Sequence, residues 1–366
     1  MIPLLDLKRE HTGIQQELQE AWSATLATMH LLKGENVGAF EREIAAYIGT
    51  PYARGVASGT DALLLAVLGL GIGPGDEVII HANAFAAAVE AVHHAGAQPV
   101  LVDVEADGLG PDAAALAHAI TARTKAVIVV HLYGSPLQLA PVEALVARHA
   151  LSLIEDGSHA HGAGRDGRMV GTIGRAGCFS AGVVKNLGAY GDAGFITTSD
   201  AQLFERLRLL QTHGQEKKNH HVLYGFNSRL DELQAAVLRV KLRHLEARNR
   251  RRREIAAYYA SRFANLDVRV PREHPGEVHV YHQYVIRTAQ RDRLRAHLER
   301  AGVESGIHYP VPLHRQPAWL RRYGESPRLP RAERLAEEIL SLPVFPDLTD
   351  AEVARVADAV VSFFTR

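Results

Sequence analysis

AVIVVHLYGSPLQLAPVEALVARHALSLIE, residues 126–155, reads as a strand (Ala126–His131), a helix (Pro141–His149) and a second strand (Leu151–Glu155). The uninterrupted apolar run of the first strand is the pattern of a strand buried on both faces. The same alternation continues upstream. Arg54–Ala57 is a short strand, Ala62–Leu70 an apolar helix and Glu77–Ile80 a buried strand after the turn Gly73-Pro74-Gly75-Asp76. A helix across Phe85–His94, a strand at Pro99–Val104 and a helix at Asp112–Ala122 complete the series. Strands alternating with helices at this spacing predict an α/β fold with a largely parallel sheet covered on both faces. Two helices, Leu18–Met29 and Val37–Ile48, precede it. Downstream, Arg229–Phe263 reads as helical throughout, with a change of domain near its middle. Beyond it lie a strand (Val278–Arg287) and three helices, Arg291–Ala301, Arg331–Leu340 and Asp350–Phe364. The expected division is a large domain over residues 1–245 and a smaller C-terminal α+β domain over 246–366.

Composition narrows the function classes. The 366 residues are long enough to bury a sizeable core, and 22% charged with 47% hydrophobic residues is a globular balance. Lysine plus arginine equals aspartate plus glutamate at 41 each, so no global field favours nucleic acid or a membrane surface. The basic run Arg250–Arg253 lies in a helical stretch and reads as a solvated face. The single cysteine, Cys178, excludes an internal disulfide and fits a reducing compartment; its apolar strand makes it a core residue. MIPLLDLKRE lacks the basic start and longer apolar segment of a signal peptide, and no apolar run spans a bilayer. The expectation is a soluble, cytoplasmic protein.

Chemistry concentrates in three places. Cys178–Ser199, CFSAGVVKNLGAYGDAGFITTS, runs from a strand through Gly-rich backbone (Gly188, Gly191, Gly194) into the strand Phe195–Thr198. Its Lys185 follows Val183-Val184 and precedes Asn186-Leu187, groups expected to exclude water, where an ammonium costs free energy unless paired or unless its pKa falls and it becomes nucleophilic. A snorkelling, solvated lysine is the plainer alternative. Ser58-Gly59-Thr60 sits at a strand-to-helix junction, where N–H groups and the helix dipole can take a phosphate; an ordinary capped helix uses the same residues. Asp156 ends an apolar strand, the edge at which open parallel sheets bind ligands. A carboxylate there can keep a pyridinium nitrogen protonated. Histidines 159, 161, 220 and 221 raise the question of a metal, but no cysteine or carboxylate stands at ligand spacing, so none is expected. Phosphate cradle, strand-end acid and lysine, in that order, are the parts of a pyridoxal 5′-phosphate site.

With VASGTDALLLAVLGLGIGPGDEVI, the Asp156 segment, KNLGAYGDAGFITT and GFNSRLDELQAAVL in that order, the chain resembles the DegT–StrS family of pyridoxal-phosphate sugar aminotransferases. The likeness runs from Ile2-Pro3-Leu4-Leu5-Asp6-Leu7 to Leu342-Pro343. It implies the fold-type I (aspartate-aminotransferase-like) architecture, a mixed, mostly parallel seven-stranded sheet, and a homodimer with shared active sites. It implies amination of a keto group on a nucleotide-linked sugar, with glutamate or glutamine as donor, in a ping-pong cycle. Carried over by position, Lys185 would hold pyridoxal 5′-phosphate as a Schiff base and shuttle the proton, with the pyridoxamine 5′-phosphate form appearing during turnover. Asp156 would pair with the ring nitrogen, and Gly59, Thr60 and Ser180 would hold the phosphate. Asn227 would reach that phosphate from the partner subunit. Phe85 would stack on the ring. His159 stands where relatives more often have Gln, near the cofactor's 3′-oxygen. Arg229 is a candidate for the donor carboxylate, or else a helix-surface arginine.

For the acceptor, the segment His213–Tyr224 resembles a loop extended toward the nucleotide diphosphate of the neighbouring site, which Lys217 and Lys218 suit electrostatically. His308 and Tyr309 match the small-domain strand facing the sugar. The arrangement is most similar to enzymes aminating C3 of dTDP-linked 3-keto-6-deoxyhexoses. Three departures from the family pattern, at Lys33, at 81–84 and at 181–184, lie near the expected substrate cavity. They leave open a cyclitol or other non-nucleotide keto acceptor. A non-catalytic regulatory relative is the other alternative; the Asp156 and Lys185 pair speaks against it.

Overall fold

The computed structural model describes residues 1–106 and 108–365. Arg366, the last residue of the expected small domain, lies outside the described residues. The chain opens with α1 (Leu7–Thr28) and α2 (Glu35–Ile48). The alternating body follows: β1 (Tyr52–Val56), α3 (Gly59–Gly69), β2 (Glu77–His81), α4 (Ala87–His94), β3 (Gln98–Val102), α5 (Ala113–Ala119), β4 (Thr124–Val130), α6 (Ala140–Arg148) and β5 (Ser152–Asp156). Two short strands, β6 (Gly164–Arg165) and β7 (Arg168–Met169), precede β8 (Ala176–Ser180) and β9 (Gly194–Thr198). Then come α7 (Ala201–Leu210), the hairpin β10 (Gln215–Lys217) with β11 (His220–His221), and the long α8 (Glu232–Phe263). The remainder is β12 (Glu277–Val278), β13 (Tyr284–Arg287), α9 (Arg291–Arg300), α10 (Pro317–Tyr323), α11 (Pro330–Glu338), β14 (Ile339–Leu342) and α12 (Asp350–Phe364).

Seven strands form the main sheet in the order β1-β9-β8-β5-β4-β2-β3. All its pairings are parallel except those of β9, which runs antiparallel to both β1 and β8. Alternation along β4 shows why the sheet is covered twice. Ala126, Ile128 and Val130 join a core with α3 and α4, whereas Val127 and Val129 join another with Leu116 of α5 and Val142 of α6. The second unit has a core of its own. Ile255, Tyr259 and Phe263 of α8 pack there with Tyr284, Leu298 and Val356 around the antiparallel β13–β14 pair. Ile2 joins this same core and bridges to Val303, so the first residues of the chain are held by the last third of it.

Four sequence expectations change. The first helix starts at Leu7 rather than at Leu18, because Asp6 caps it by accepting from the N–H groups of Lys8 and Arg9. The strand expected over Val278–Arg287 is interrupted, with only Glu277–Val278 and Tyr284–Arg287 paired. The helix expected over Arg331–Leu340 ends at Glu338, since Ile339 and Leu340 pair with Arg287 and Ile286. The basic run of α8 is not uniformly solvated. Arg252 is buried and donates to the carbonyls of Tyr281 and Val344, a pair of acceptors that no sequence pattern announces. Cys178 is buried in the core as read, its thiol against the Ala62 carbonyl. Among the described residues no helix is long and apolar enough to cross a membrane.

Candidate active site

Strand alternation separates two adjacent carboxylates at the end of β5. Glu155 turns toward a structural role, accepting from His131 Nε2 and from the N–H groups of Gly171, Ile173 and Gly174 at 2.8–3.1 Å. Burial alone would push its pKa up, but the His131 imidazole and these amides hold it below the usual carboxylate value. Asp156 is also buried, yet its carboxylate takes one short main-chain bond, from Ser158 N–H at 3.0 Å. Burial pushes its pKa up, opposed by the Ser158 donors and the charge of Lys185. It stands beside Val130 and Cys178 in register, at the carboxyl edge of the parallel strands.

Next to that edge, Ser58 caps α3, its hydroxyl accepting from Asp61 N–H at 3.1 Å. The first intrahelical bond runs from Ala62 N–H to the Ser58 carbonyl, so the N–H groups of Gly59 and Thr60 have no acceptor inside the helix. Gly59 lies tight against the end of β8: a Cβ there would collide with Ser180. Ser180 donates its own N–H to Ser158 Oγ at 3.0 Å, while its hydroxyl accepts from Gly182 N–H at 3.3 Å and keeps its proton to give. This is a donor set for a phosphate dianion.

Lys185 closes a turn, its N–H reaching the Gly182 carbonyl at 2.9 Å. Burial brings its pKa down to about 8, against the opposing pull of Asp156. Among the described residues its amine has no hydrogen bond or ion pair. Of the flanking residues expected to exclude water, Asn186 and Leu187 are buried, whereas Val183 and Val184 remain 37% and 47% exposed on this chain. His159 is buried and accepts Tyr133 N–H on Nδ1 at 3.3 Å. Tyr133 in turn donates its hydroxyl to the His308 carbonyl at 2.6 Å. Tyr309 brings its ring within 5.5 Å of Phe85, which is 53% exposed. Lysine amine, strand-end carboxylate, helix N-terminus and an aromatic face match what pyridoxal phosphate requires of its donors.

A second group of expected residues gathers apart from these. Lys217, Lys218 and Arg229 line one cavity of about 450 Å3, together with Lys33, Arg54 and Arg208. The segment read as a loop is the β10–β11 hairpin, with Lys217 in its first strand and Lys218 in its turn. Arg229 precedes α8, which starts at Glu232, so it is no helix-surface residue. Asn227 is exposed and bridges Thr212. Its neighbour Ser228 accepts from Ala57 N–H and donates to Asp61 Oδ2, beside the start of α3. A larger cavity of about 720 Å3 lies between the two units and contains none of the expected site residues. Among the described residues no group of three or more His, Cys, Asp or Glu is arranged to hold a metal.

The contacts of Tyr133, Asn186 and His282 have no signal in the sequence. Asn186 and His282 bond to each other at 3.0 Å, and the His282 ring lies 4.3 Å from that of His159. HVYHQYVIR was readable only as an apolar strand, and nothing in its spacing ties it to Lys185.

Residues 12–361 match the model of the DegT/DnrJ/EryC1/StrS aminotransferase family. The dTDP-3-amino-3,4,6-trideoxy-alpha-D-glucose transaminase of Streptomyces venezuelae is 44% identical, over 98% of this chain and 95% of that one. The UDP-N-acetyl-3-dehydro-alpha-D-glucosamine 3-aminotransferase of Acidithiobacillus ferrooxidans is 42% identical, over 98% and 97%. Among solved structures, S. venezuelae DesV in complex with a ketimine intermediate superposes with a TM-score of 0.97 at 43% identity, covering 100% and 99% of the two chains. NtdA from Bacillus subtilis, with its cofactor PMP bound, gives 0.94 at 28% identity, covering 100% and 85%. The chain belongs to the DegT/DnrJ/EryC1/StrS aminotransferase family and is a sugar aminotransferase of fold type I.

Proposed function

We propose, with membership of this family as the premise, that the protein moves an amino group from glutamate or glutamine to a dTDP-linked 3-keto-6-deoxyhexose. The observation that carries the reading is the Lys185 amine, unpaired, lowered to about 8, and within electrostatic reach of the buried Asp156. Pyridoxal phosphate, when bound, supplies a carbonyl for the amine and a ring that can store an electron pair. Lys185 would anchor that carbonyl, then take a proton from the donor's Cα and return it on the other side of the transfer. Asp156 would hold the proton on the ring nitrogen. The N–H groups of Gly59 and Thr60 and the Ser180 hydroxyl would hold the phosphate, with Asn227 of the partner subunit completing it. Phe85 would cover one ring face, and His159 would donate to the 3-oxygen.

In the same reading the protein works as a homodimer. Tyr224 is fully exposed, and Val222 and Phe226 beside it are 48% and 40% exposed, an apolar cluster that a second copy would cover. The dimer would bring Arg229 to the donor carboxylate and Lys217 and Lys218 to the diphosphate of the other subunit's acceptor, with His308 and Tyr309 against the sugar. The two units would divide near residues 245 and 246, inside α8. Leu245 packs in a core with β8 and β9, and Ile255 in the C-terminal core, which supports that division.

The test is direct. Purified protein incubated with pyridoxal phosphate should turn yellow, and borohydride should fix the cofactor to the peptide containing Lys185. The glutamate-reduced form should then be reoxidised by a dTDP-linked 3-keto-sugar, tested beside UDP- and GDP-linked keto-sugars and a cyclitol ketone. Reoxidation by a UDP-sugar or a cyclitol ketone alone would replace the acceptor; absence of uptake would end the reading.

A further inference from the structure

Asn186, the residue after Lys185, has every side-chain atom engaged. Its Nδ2 donates to Asn249 Oδ1 at 3.0 Å and to the Val280 carbonyl at 3.1 Å. Asn249, on α8, donates its own Nδ2 to the His161 carbonyl at 2.8 Å. Main-chain carbonyls accept only, so both amides have one possible orientation. The oxygen of Asn186 therefore faces His282 Nδ1 at 3.0 Å, and that nitrogen must carry the proton. Gly162 leaves the room for this: a Cβ there would sit 2.8 Å from Asn249 Nδ2.

His159 is fixed in the opposite sense. Tyr133 N–H points at its Nδ1, so a neutral His159 carries its proton on Nε2. Burial drives both imidazoles well below their ordinary pKa, and the charge of Lys185 lowers them further, so both are neutral. Two neutral imidazoles of opposite tautomer thus lie 4.3 Å apart. His282 also lines a cavity of about 220 Å3 with Val184, Arg252, His308 and Ser341.

We propose that His282 is a positioning residue of the transamination site: Asn249 and Asn186 fix its tautomer, and its ring holds His159 so that the Nε2 proton of His159 is available to the 3-oxygen of the cofactor. The chain of contacts also ties the segment that carries Lys185 to α8 and to the residues before β13. A hydrogen bond to that oxygen favours its anionic form, the yellow one, and its loss favours the near-ultraviolet form. The inference rests on the cofactor reading above.

Two measurements test it. In protein labelled with 15N in the histidine rings, without added cofactor, His282 should show its proton on Nδ1 and His159 on Nε2; a His282 protonated on Nε2 overturns the inference, with or without a foldable variant. In the loaded enzyme, His282→Phe keeps an aromatic face but loses the bond to Asn186. It should release the cofactor about tenfold faster and shift absorbance toward the near-ultraviolet form. His159→Phe should produce the same spectral shift, and His159→Gln, which restores a donor, should keep the wild-type balance. Uptake of pyridoxal phosphate with an unchanged spectrum and release rate in His282→Phe overturns this inference alone. No uptake by the wild-type protein overturns the cofactor reading with it.

Discussion

The two groups of expected site residues differ in how the chain holds them. Around Lys185 and Asp156, main-chain donors fix the neighbours: Ser158 N–H to Asp156, Lys185 N–H to Gly182, Tyr133 N–H to His159. Around the 450 Å3 cavity, the side chains of Lys33, Lys217, Lys218 and Arg229 make no hydrogen bond or ion pair among the described residues. The first group is built to keep its geometry without a ligand. The second is a set of cations on a hairpin and a helix approach, whose order depends on what arrives. Chemistry requires fixed distances, whereas attraction of an anionic substrate tolerates motion.

The largest effect should fall in the rigid group. Lys185→Ala should slow the glutamate half-reaction by at least about a thousandfold, within the range lost with a catalytic acid–base group. It should still bind cofactor without the covalent bond. Stopped-flow absorbance reads both, and undiminished transfer would move the base elsewhere. Asp156→Asn should cost roughly a hundredfold and also shift a pH profile. Capture of cofactor by the unloaded protein should rise as pH passes through about 8, because the neutral amine is the reactive form. Asp156 holds that pKa up, so removing its charge should move the inflection to lower pH. An unmoved inflection would break the electrostatic link between the two residues. Gly59→Ala should be smaller: the new Cβ meets Ser180, an overpacking that costs about 1–3 kcal/mol of stability and loosens the phosphate end. Thermal unfolding and cofactor affinity measure the two parts separately.

The same contrast accounts for what the sequence revealed. Asp156 and Lys185 were legible because a charged residue at the end of an apolar run is conspicuous, and the strand and helix periods around them are regular. The exposure of the two valines expected to exclude water was not legible, since side-chain direction in a turn follows backbone angles rather than composition. Asn186 and His282 were hidden for a different reason. They meet through tertiary contact across 96 positions, and a lone Asn and a His in a run that reads as an apolar strand carry no local signature. In the cationic group, Lys217 and Lys218 looked like any exposed pair, and only the fold brings them to the same cavity as Arg229 and Lys33. The early start of α1 shows a simpler miss: Asp6 was a cap in plain sight, masked by the polar content of Lys8–Gln16.

The sharpest separation of the two groups is salt. Lys217→Ala with Lys218→Ala should leave the glutamate half-reaction unchanged, because neither side chain touches the segments that hold Lys185. The second half-reaction, with a nucleotide-linked acceptor, should show a KM raised about tenfold and kcat nearly preserved, the pattern of lost binding without lost chemistry. Exposed charges act over about 10 Å at 0.1 M salt and much less at higher ionic strength. Raising salt should therefore raise the wild-type acceptor KM toward that of the double variant, while the variant itself changes little. Arg229→Ala should behave differently if it meets the donor: its loss would raise the KM for glutamate and leave the acceptor KM alone. An acceptor KM that ignores both salt and the lysine pair would mean that the hairpin takes no part in binding the acceptor, and that the diphosphate is held elsewhere.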